Sequence, residues 1–403
     1  MVKQIKNEVF FSSVKIMNSL LRQAAFFLLF YVLSIDDFGY FVGILAISIL
    51  LQVFTTGLTY GAFINFSSKS YSEFSSYSKI LYYRLFIAIC VVSFVFLVST
   101  FIEFTNKFLI LKLYLGLVFY DLGSQLLLPG NKRIQQVIIE SVFFIALFAT
   151  VILFVNSFNQ YINYYLILSF FLFIISFSFF YFHNFKKSEN VIENYYTGKF
   201  KFFFKYSSWQ LVGIIGIYVM GNGMNLYAYF YNFLPSTMAI YGIVLKIFMS
   251  LAPIYGLFVI YIPKLIRNNI FLKYDRMPYL KTLFMSSFAL TLLYLIVIIT
   301  FQELIIYFNK VEYAGINIFL VQLIPAYFFM SFTNITNTLL ANTQKYIHPQ
   351  FIFIIQAIVM CISYIIFIPI YEMQGFLISV TLAYLVSFIL FLYVLVKDDI
   401  KLL

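Results

Sequence analysis

Long apolar runs separated by short polar breaks extend over almost the whole chain. A helix needs about 20 mostly apolar residues to cross the hydrocarbon core of a bilayer. By that rule the pattern predicts an all-α polytopic membrane protein with about twelve transmembrane helices. The predicted spans are 10–33, 38–64, 80–102, 108–129, 136–157, 161–183, 206–230, 235–262, 280–300, 314–341, 349–370 and 374–396.

Composition supports the same class. The chain is 63% hydrophobic and 10% charged, whereas a soluble domain carries about 25% charged residues. Cys90 and Cys361 both lie in apolar runs, so they predict neither a disulfide framework nor a metal site. The chain has no phosphate-binding loop and no zinc-binding motif. We therefore expect a protein that is not an enzyme and has no cofactor.

The basic residues give the orientation. The net charge is +11, but the basic residues fall in short loops between spans, which argues against nucleic acid as a partner. Cytoplasmic loops of membrane proteins are enriched in lysine and arginine. Placing the N-terminus in the cytoplasm leaves only Lys107 and Lys310 in the opposite loops. Both termini are then predicted to be cytoplasmic.

The longest internal loop, 184–205, is basic and divides the predicted spans into two groups of six. We therefore predict an N-terminal bundle (1–183), a cytoplasmic linker (184–205) and a C-terminal bundle (206–403). The segments 126–141 and 339–354 also resemble each other, which suggests an internal repeat. Parallel repeats of this kind predict two six-helix bundles around a central cavity.

Charged residues inside the predicted spans are candidates for function. A charge at the centre of the bilayer costs on the order of 3 kcal/mol on insertion scales, and such residues usually face a polar cavity. We expect Arg22 and Lys246 to line a cavity and together attract an anion; packing or snorkelling is the alternative. Asn18 shares a helical face with Arg22. Arg84 and Lys112 lie nearer the span ends and are expected to snorkel.

Two carboxylates also lie within spans. Asp121 is expected to pair with Arg22 or Lys246, or alternatively to carry a proton. Burial would raise its pKa and nearby cations would lower it, so both interpretations stay open. Glu140 is expected to be structural, with Arg133 two helical turns away as its partner.

The span 206–230 contains Asn222 and Asn225. Amides that face a cavity suit a sugar substrate, because they can both donate and accept hydrogen bonds. The alternative is ordinary hydrogen bonding between membrane helices, to which asparagine side chains also contribute.

Four segments together resemble the Wzx-type O-antigen and polysaccharide flippases of the multidrug/oligosaccharidyl-lipid/polysaccharide exporter superfamily. The segment 33–64 contains DDFGYFVGI, similar to that family's first loop and second span. The segment 236–265 resembles its eighth span and contains Lys246, while 307–324 and 339–346 resemble the entry to span 10 and the turn before span 11.

The resemblance implies a transporter of the bacterial inner membrane. Its substrate would be an undecaprenyl-diphosphate-linked oligosaccharide, an O-antigen or capsule or exopolysaccharide repeat unit, moved from the inner to the outer leaflet by ion-coupled alternating access. A polysaccharide polymerase and a chain-length regulator would be partners, together with the lipid bilayer. Asp121 and Glu140 would be candidates for ion coupling. The substrate-binding residues would be Arg22, Lys246, Asn18, Asn222 and Asn225.

Three other functions compete with this one. A drug/cation antiporter of the same superfamily would favour acidic over basic cavity residues. A flippase for a peptidoglycan precursor would look electrostatically similar. An O-antigen polymerase would normally have a long basic outer loop, whereas the longest predicted outer loop here is 301–313.

Overall fold

In the part of the chain that the structure describes, helices account for nearly all of the backbone. The computed structural model describes residues 2–57, 74–101, 106–127, 133–185, 199–251, 277–307, 310, 313, 315–341 and 348–397. In chain order the helices are α1 (Val2–Val32), α2 (Ile35–Gly57), α3 (Phe74–Phe101), α4 (Lys107–Gln125), α5 (Arg133–Phe154), α6 (Phe158–Phe185), α7 (Lys199–Phe230), α8 (Pro235–Phe248), α9 (Met277–Tyr307), α10 (Ile316–Gln322), α11 (Ile324–Ala341) and α12 (His348–Lys397).

These helices confirm a polytopic, all-α membrane protein. Among the described residues, seven helices are long and apolar enough to cross a membrane, or eight if the bent pair α10 and α11 is one span. The last of the seven, α12, has 50 residues and is broken at Glu372. Its two arms, 348–371 and 373–397, correspond to the last two predicted spans.

The large apolar side chains that remain exposed form stripes on the outside of the helices. On α5, Ile138, Val142 and Ile145 are exposed, whereas Phe144 and Leu147 are buried. The two sets alternate with a helical period, so one side of α5 is apolar and open. Such an apolar surface is suited to contact with lipid.

The chain forms two compact units, Met1–Ile214 and Ile215–Leu403. The boundary falls inside α7, which begins at Lys199 and so extends into the predicted linker. Residues 186–198 of that linker lie outside the described residues, as do the centres of the two similar turns, 128–132 and 342–347. The two-bundle arrangement with a central cavity remains a prediction.

Unit 1 is organised by close packing of α4 on α6 and of α1 on α5, with α2 against α4. Gly123 shows how close α4 and α6 are. A Cβ placed at Gly123 would lie 2.9 Å from Leu172 Cγ and 3.0 Å from the backbone nitrogen of Phe173. Small residues allow this approach between membrane helices.

Unit 2 has an aromatic core. The rings of Tyr294 and Tyr327 stack with centroids 4.1 Å apart, and Phe248 meets both rings edge-on. All three side chains are buried. Phe248 is the last residue of α8, so this cluster fixes the end of the helix on which Lys246 lies.

A tight reversal separates the two arms of α12. Glu372 has φ 46° and ψ −119°, a backbone conformation that L-residues other than glycine rarely adopt. Gly375 follows it and passes close to the preceding arm. A Cβ at Gly375 would lie 2.2 Å from the carbonyl oxygen of Phe367, so only glycine fits there without a shift of the backbone.

We predict that Gly375→Ala lowers the free energy of unfolding by about 2 kcal/mol, the usual range for overpacking a close contact. Gly315→Ala is the matched control, because nothing lies within 4 Å of a Cβ at that position. Thermal unfolding of the purified variants in detergent measures both effects. Equal melting temperatures for the two variants would contradict the packing described at the reversal.

Candidate functional site

Arg22 lies on the protein-facing side of α1 and is nevertheless exposed. Asn18, Ala25 and Leu29 lie on the same helical face, and all three are buried. Arg22 is exposed as a residue, although it lies ten positions, or about 15 Å, from the end of the helix at Val32. Arg22 is therefore an exposed cation on a face of α1 whose neighbouring side chains pack against protein.

Three tyrosines surround this guanidinium. Its Cζ lies 5.6 Å from the centroid of the Tyr120 ring on α4, a cation–π distance. Tyr161 and Tyr165 of α6 are within electrostatic range of Arg22, as is Asp121. The three tyrosine side chains are buried, and we call them the tyrosine wall.

Arg22 makes no hydrogen bond and no salt bridge with any residue that the structure describes. A guanidinium carries five N–H donors in a fixed planar fork. Contact with the Tyr120 ring positions the cation without occupying those donors. The arrangement is therefore suited to binding an anion with several oxygen acceptors, such as a phosphate.

Glu140 lies behind Tyr120, on α5. The hydroxyl of Tyr120 donates a hydrogen bond to Glu140 Oε1, while the ring of the same tyrosine faces Arg22. Glu140 is half-buried. The side chain of Arg133, its expected partner, lies outside the described residues, so that pairing remains a prediction.

Asp121 pairs with Arg84, which corrects two expectations. Arg84 does not snorkel: it is 2% exposed, and its Nη2 lies 3.7 Å from Asp121 Oδ2. The same Oδ2 accepts hydrogen bonds from Gln52 at 2.8 Å and Thr56 at 2.9 Å. Asp121 is therefore held by α2 and α3, and its salt-bridge partner is Arg84 rather than Arg22 or Lys246.

Asn18 connects two helices. Its Nδ2 donates to the carbonyl oxygen of Val137 at 3.2 Å, and its Oδ1 accepts from the hydroxyl of Ser141 at 2.8 Å. The side chain is 2% exposed. Both polar atoms of the amide thus tie α1 to α5, whereas Arg22, on the same face, is exposed.

We predict that Asn18→Ala lowers the free energy of unfolding by about 1–2 kcal/mol, because two buried hydrogen bonds are lost. Transport per folded molecule should stay close to wild type. Melting temperature and surface glycan, measured at matched membrane levels, separate the two effects. Unchanged stability together with abolished transport would instead make Asn18 a substrate ligand.

Lys246 lies in the last turn of α8, not in the middle of a long helix. The sequence predicts a span over 235–262, but the described helix ends at Phe248, and residues 252–262 lie outside the described residues. Lys246 is half-buried and about 16 Å along the helix from Pro235. The negative end of the helix dipole stabilises a cation at this position.

The two asparagines of α7 differ in exposure. Asn222 is half-buried, whereas Asn225 is 5% exposed. Asn225 Oδ1 has no hydrogen-bond partner among the described residues, and neither does the buried hydroxyl of Tyr364 on α12. Buried groups of this kind are commonly satisfied by ordered water. Unit 2 therefore contains unsatisfied polar atoms in its interior.

The sequence alone did not identify the tyrosine wall or the ligands of Asp121. Tyr120 directly precedes Asp121, but 34 tyrosines in the chain make any one of them inconspicuous. Gln52 and Thr56 lie one helical turn apart on α2. That spacing indicates a polar contact with another helix, because two polar side chains on one face of an apolar span require a partner.

Comparison with solved structures identifies the fold. The chain is similar to a structure of the lipid II flippase MurJ in an inward closed conformation, with a TM-score of 0.64 and 18% identity over 97% of this chain and 88% of that one. The chain has the fold of that flippase structure. It is also similar to the eukaryotic MATE transporter AtDTX14, with a TM-score of 0.53 and 12% identity over 97% of this chain and 92% of that one.

No family model matches the chain, and no curated protein matches it by sequence. The two structural neighbours are named a flippase and a transporter, and neither is named as an enzyme. At these identities the likeness concerns the fold. The substrate has to be argued from the side chains.

Proposed function

We propose that this protein is a flippase for undecaprenyl-diphosphate-linked oligosaccharide repeat units. In this proposal it moves an O-antigen, capsule or exopolysaccharide unit from the inner to the outer leaflet of the bacterial inner membrane, with both termini in the cytoplasm. The observation that carries the proposal is Arg22 of unit 1, an exposed residue that lies against the Tyr120 ring and has no hydrogen bond to any described residue.

The diphosphate is the part of this substrate whose transfer through the bilayer costs the most free energy. Its negative charge needs a cation within the membrane, and arginine binds phosphate through two parallel N–H···O bonds. The tyrosines around Arg22 keep the cation in place before the anion arrives. The apolar polyprenyl tail can stay in lipid, so only the headgroup and the sugars require a polar path.

Unit 2 contributes its own candidate, Lys246, together with Asn222 and Asn225. Lysine binds phosphate as a point charge with rotatable donors, and amides suit sugar hydroxyls. Alternating access in folds with internal repeats proceeds largely by rigid-body rocking. We propose that such rocking carries the substrate across and is coupled to an ion, with Asp121 and Glu140 as the candidate carboxylates.

The charges of unit 1 disfavour a drug/cation antiporter. Of Arg22, Asp121 and Glu140, the exposed residue is the cation Arg22, whereas Asp121 is engaged by Arg84, Gln52 and Thr56. A cationic cargo would meet repulsion at Arg22. We therefore place the drug/cation antiporter behind a flippase for a lipid diphosphate.

A peptidoglycan-precursor flippase is the second candidate, and the likeness to MurJ favours it. Lipid-linked precursors of this class share a diphosphate, so Arg22 would serve either substrate. The two functions differ in the glycan and in the consequence of loss, and cells can therefore distinguish them.

Deletion of the gene, followed by analysis of lipid-linked intermediates and surface glycan, tests the proposal. We expect complete single repeat units to accumulate facing the cytoplasm while the surface glycan disappears, with peptidoglycan synthesis intact. Arrested peptidoglycan synthesis would favour the second candidate. Unchanged lipid-linked units together with unchanged surface glycan would contradict both. A polysaccharide polymerase and a chain-length regulator are the proposed partners downstream.

A further inference from the structure

Unit 2 contains a pocket that the proposed function does not use. It has a volume of about 400 Å³, and its polar side chains are Thr237, Tyr241 and Glu372. Phe233 and Phe319 contribute aromatic walls. The volume lies within the range of about 300–1,000 Å³ that is usual for small-molecule sites.

Two interruptions in the helices form this pocket. Phe319 belongs to the short helix α10, whose axis bends by 52° where α11 begins. Glu372 lies at the break in α12, with its backbone in a rarely populated conformation. Residues held in this way cluster at ligand sites, because the surrounding structure must enforce the strain. The predicted orientation places this end of unit 2 on the outer side of the membrane.

The aromatic walls are held firmly. Tyr241 is 1% exposed and packs edge-on against Phe376, with ring centroids 5.4 Å apart. Phe233 and Tyr241 lie at 45° to each other, with centroids 6.3 Å apart. Glu372, in contrast, is exposed at the rim and is within electrostatic range of Tyr241. The pocket thus combines fixed rings with an accessible carboxylate.

We propose that this pocket binds a neutral sugar ring of the translocated glycan, an inference that rests on the proposed function. A sugar ring has apolar C–H faces and hydroxyls at its edge. The faces can pack on Phe233 or Phe319, while two neighbouring hydroxyls donate to the carboxylate of Glu372. Hydrogen bonds of this kind to an ionised acceptor are stronger than bonds between neutral groups.

The charge of the pocket selects the ligand. The carboxylate of Glu372 repels a hexuronic acid and also repels the diphosphate, so the sugar bound here lies away from the lipid end of the substrate. An organic cation is the competing ligand. Because Glu372 is exposed, water screens its charge and an ion pair alone contributes little; a sugar hydroxyl adds a directional hydrogen bond to the carboxylate, and its ring packs on Phe233 or Phe319. The exposed carboxylate therefore favours a ligand with hydroxyl donors.

The test is binding of soluble glycosides to the full-length protein in nanodiscs. The probes are immobilised neutral hexosides and N-acetylhexosaminides, with hexuronides of matching stereochemistry. We expect at least one neutral glycoside to bind and its hexuronide to bind more weakly. Glu372→Gln should weaken binding about tenfold, since a charge-assisted bond becomes a neutral one. Phe319→Ala should weaken it as well, without touching the strained backbone.

Glu303→Gln is the matched control. It removes an equal charge from an exposed position on α9 outside the pocket, and binding should not change. The proposal is overturned if no neutral glycoside binds, or if Glu372→Gln and Phe319→Ala both bind as wild type does. It is also overturned if tetraphenylphosphonium binds through Glu372 while the glycosides do not.

These probes lack both diphosphate and lipid, so they report on the pocket alone. Glycoside binding in a protein whose deletion leaves lipid-linked units unchanged would refute the flippase and retain a sugar site. Accumulation of repeat units in the deletion strain without glycoside binding would refute only the pocket.

Discussion

Replacing Arg22 with glutamine is expected to lower glycan export by roughly 10- to 100-fold. The glutamine keeps a polar side chain of moderate length but removes the charge and the planar fork. Each hydrogen bond to a charged group contributes about 1.5–3 kcal/mol, and 1.4 kcal/mol corresponds to a factor of ten. Surface glycan in a deletion strain that carries the variant, at matched membrane levels, measures the loss.

Two further variants make the Arg22 result specific. Arg22→Lys keeps the charge but loses the fork, so export should fall between wild type and Arg22→Gln. Lys112→Gln removes one positive charge from α4 at an exposed position, where the lysine donates to Asn163 Oδ1 at 3.0 Å. Export should stay at the wild-type level. Full export by Arg22→Gln would remove Arg22 from the substrate path.

Asp121→Asn is expected to cost the most stability, on the order of 3 kcal/mol. The asparagine oxygen can still accept hydrogen bonds from Gln52 and Thr56. The loss of stability therefore reports the removal of the negative charge alone. Arg84 is 2% exposed and would be left as a buried cation without its carboxylate. Removing one member of a buried ion pair has a cost of this size. Thermal unfolding in detergent measures it.

The double variant Arg84→Met with Asp121→Asn is the decisive control. Replacing both charges of a buried pair is often neutral, so the double variant should recover most of the stability lost in Asp121→Asn. The hydrogen bond from Arg84 Nη1 to Gln125 Oε1, 2.8 Å in the wild type, is lost in the double variant only, so a small part of the stability should not return. A double variant less stable than Asp121→Asn would show that the ion pair is not the origin of the effect.

The apolar pattern predicts the helices well because a membrane span is a local property. Twenty apolar residues cross the hydrocarbon wherever they occur in the chain, so the class follows from the sequence. Where a helix ends inside the membrane is decided by its neighbours. The described part of α8 ends at Phe248 against Tyr294 and Tyr327, and no residue of the apolar run 239–251 marks that end.

The pairing of charges was harder to predict because it depends on three helices at once. Arg84 and Asp121 are 37 positions apart, and nothing in the sequence indicates that they form an ion pair. Depth along the helix suggested that Arg84 could reach the surface, but the contact with α4 buries it. Asn18 shares a helical face with Arg22, and only the position of α5 shows that its amide joins two helices.

Leaflet sidedness in proteoliposomes tests the central claim most directly. Purified wild-type protein and Arg22→Gln would be reconstituted with polyprenyl-diphosphate-linked oligosaccharide, and the fraction open to an added, membrane-impermeant glycan-modifying enzyme would be followed with time. We expect wild-type protein to bring almost all of the substrate to the modifying enzyme and Arg22→Gln to slow this at least about tenfold. Without flipping, only the substrate in the outer leaflet, about half of the total, can be modified. If wild-type protein does not raise the modified fraction above this half, the protein is not a flippase for this lipid.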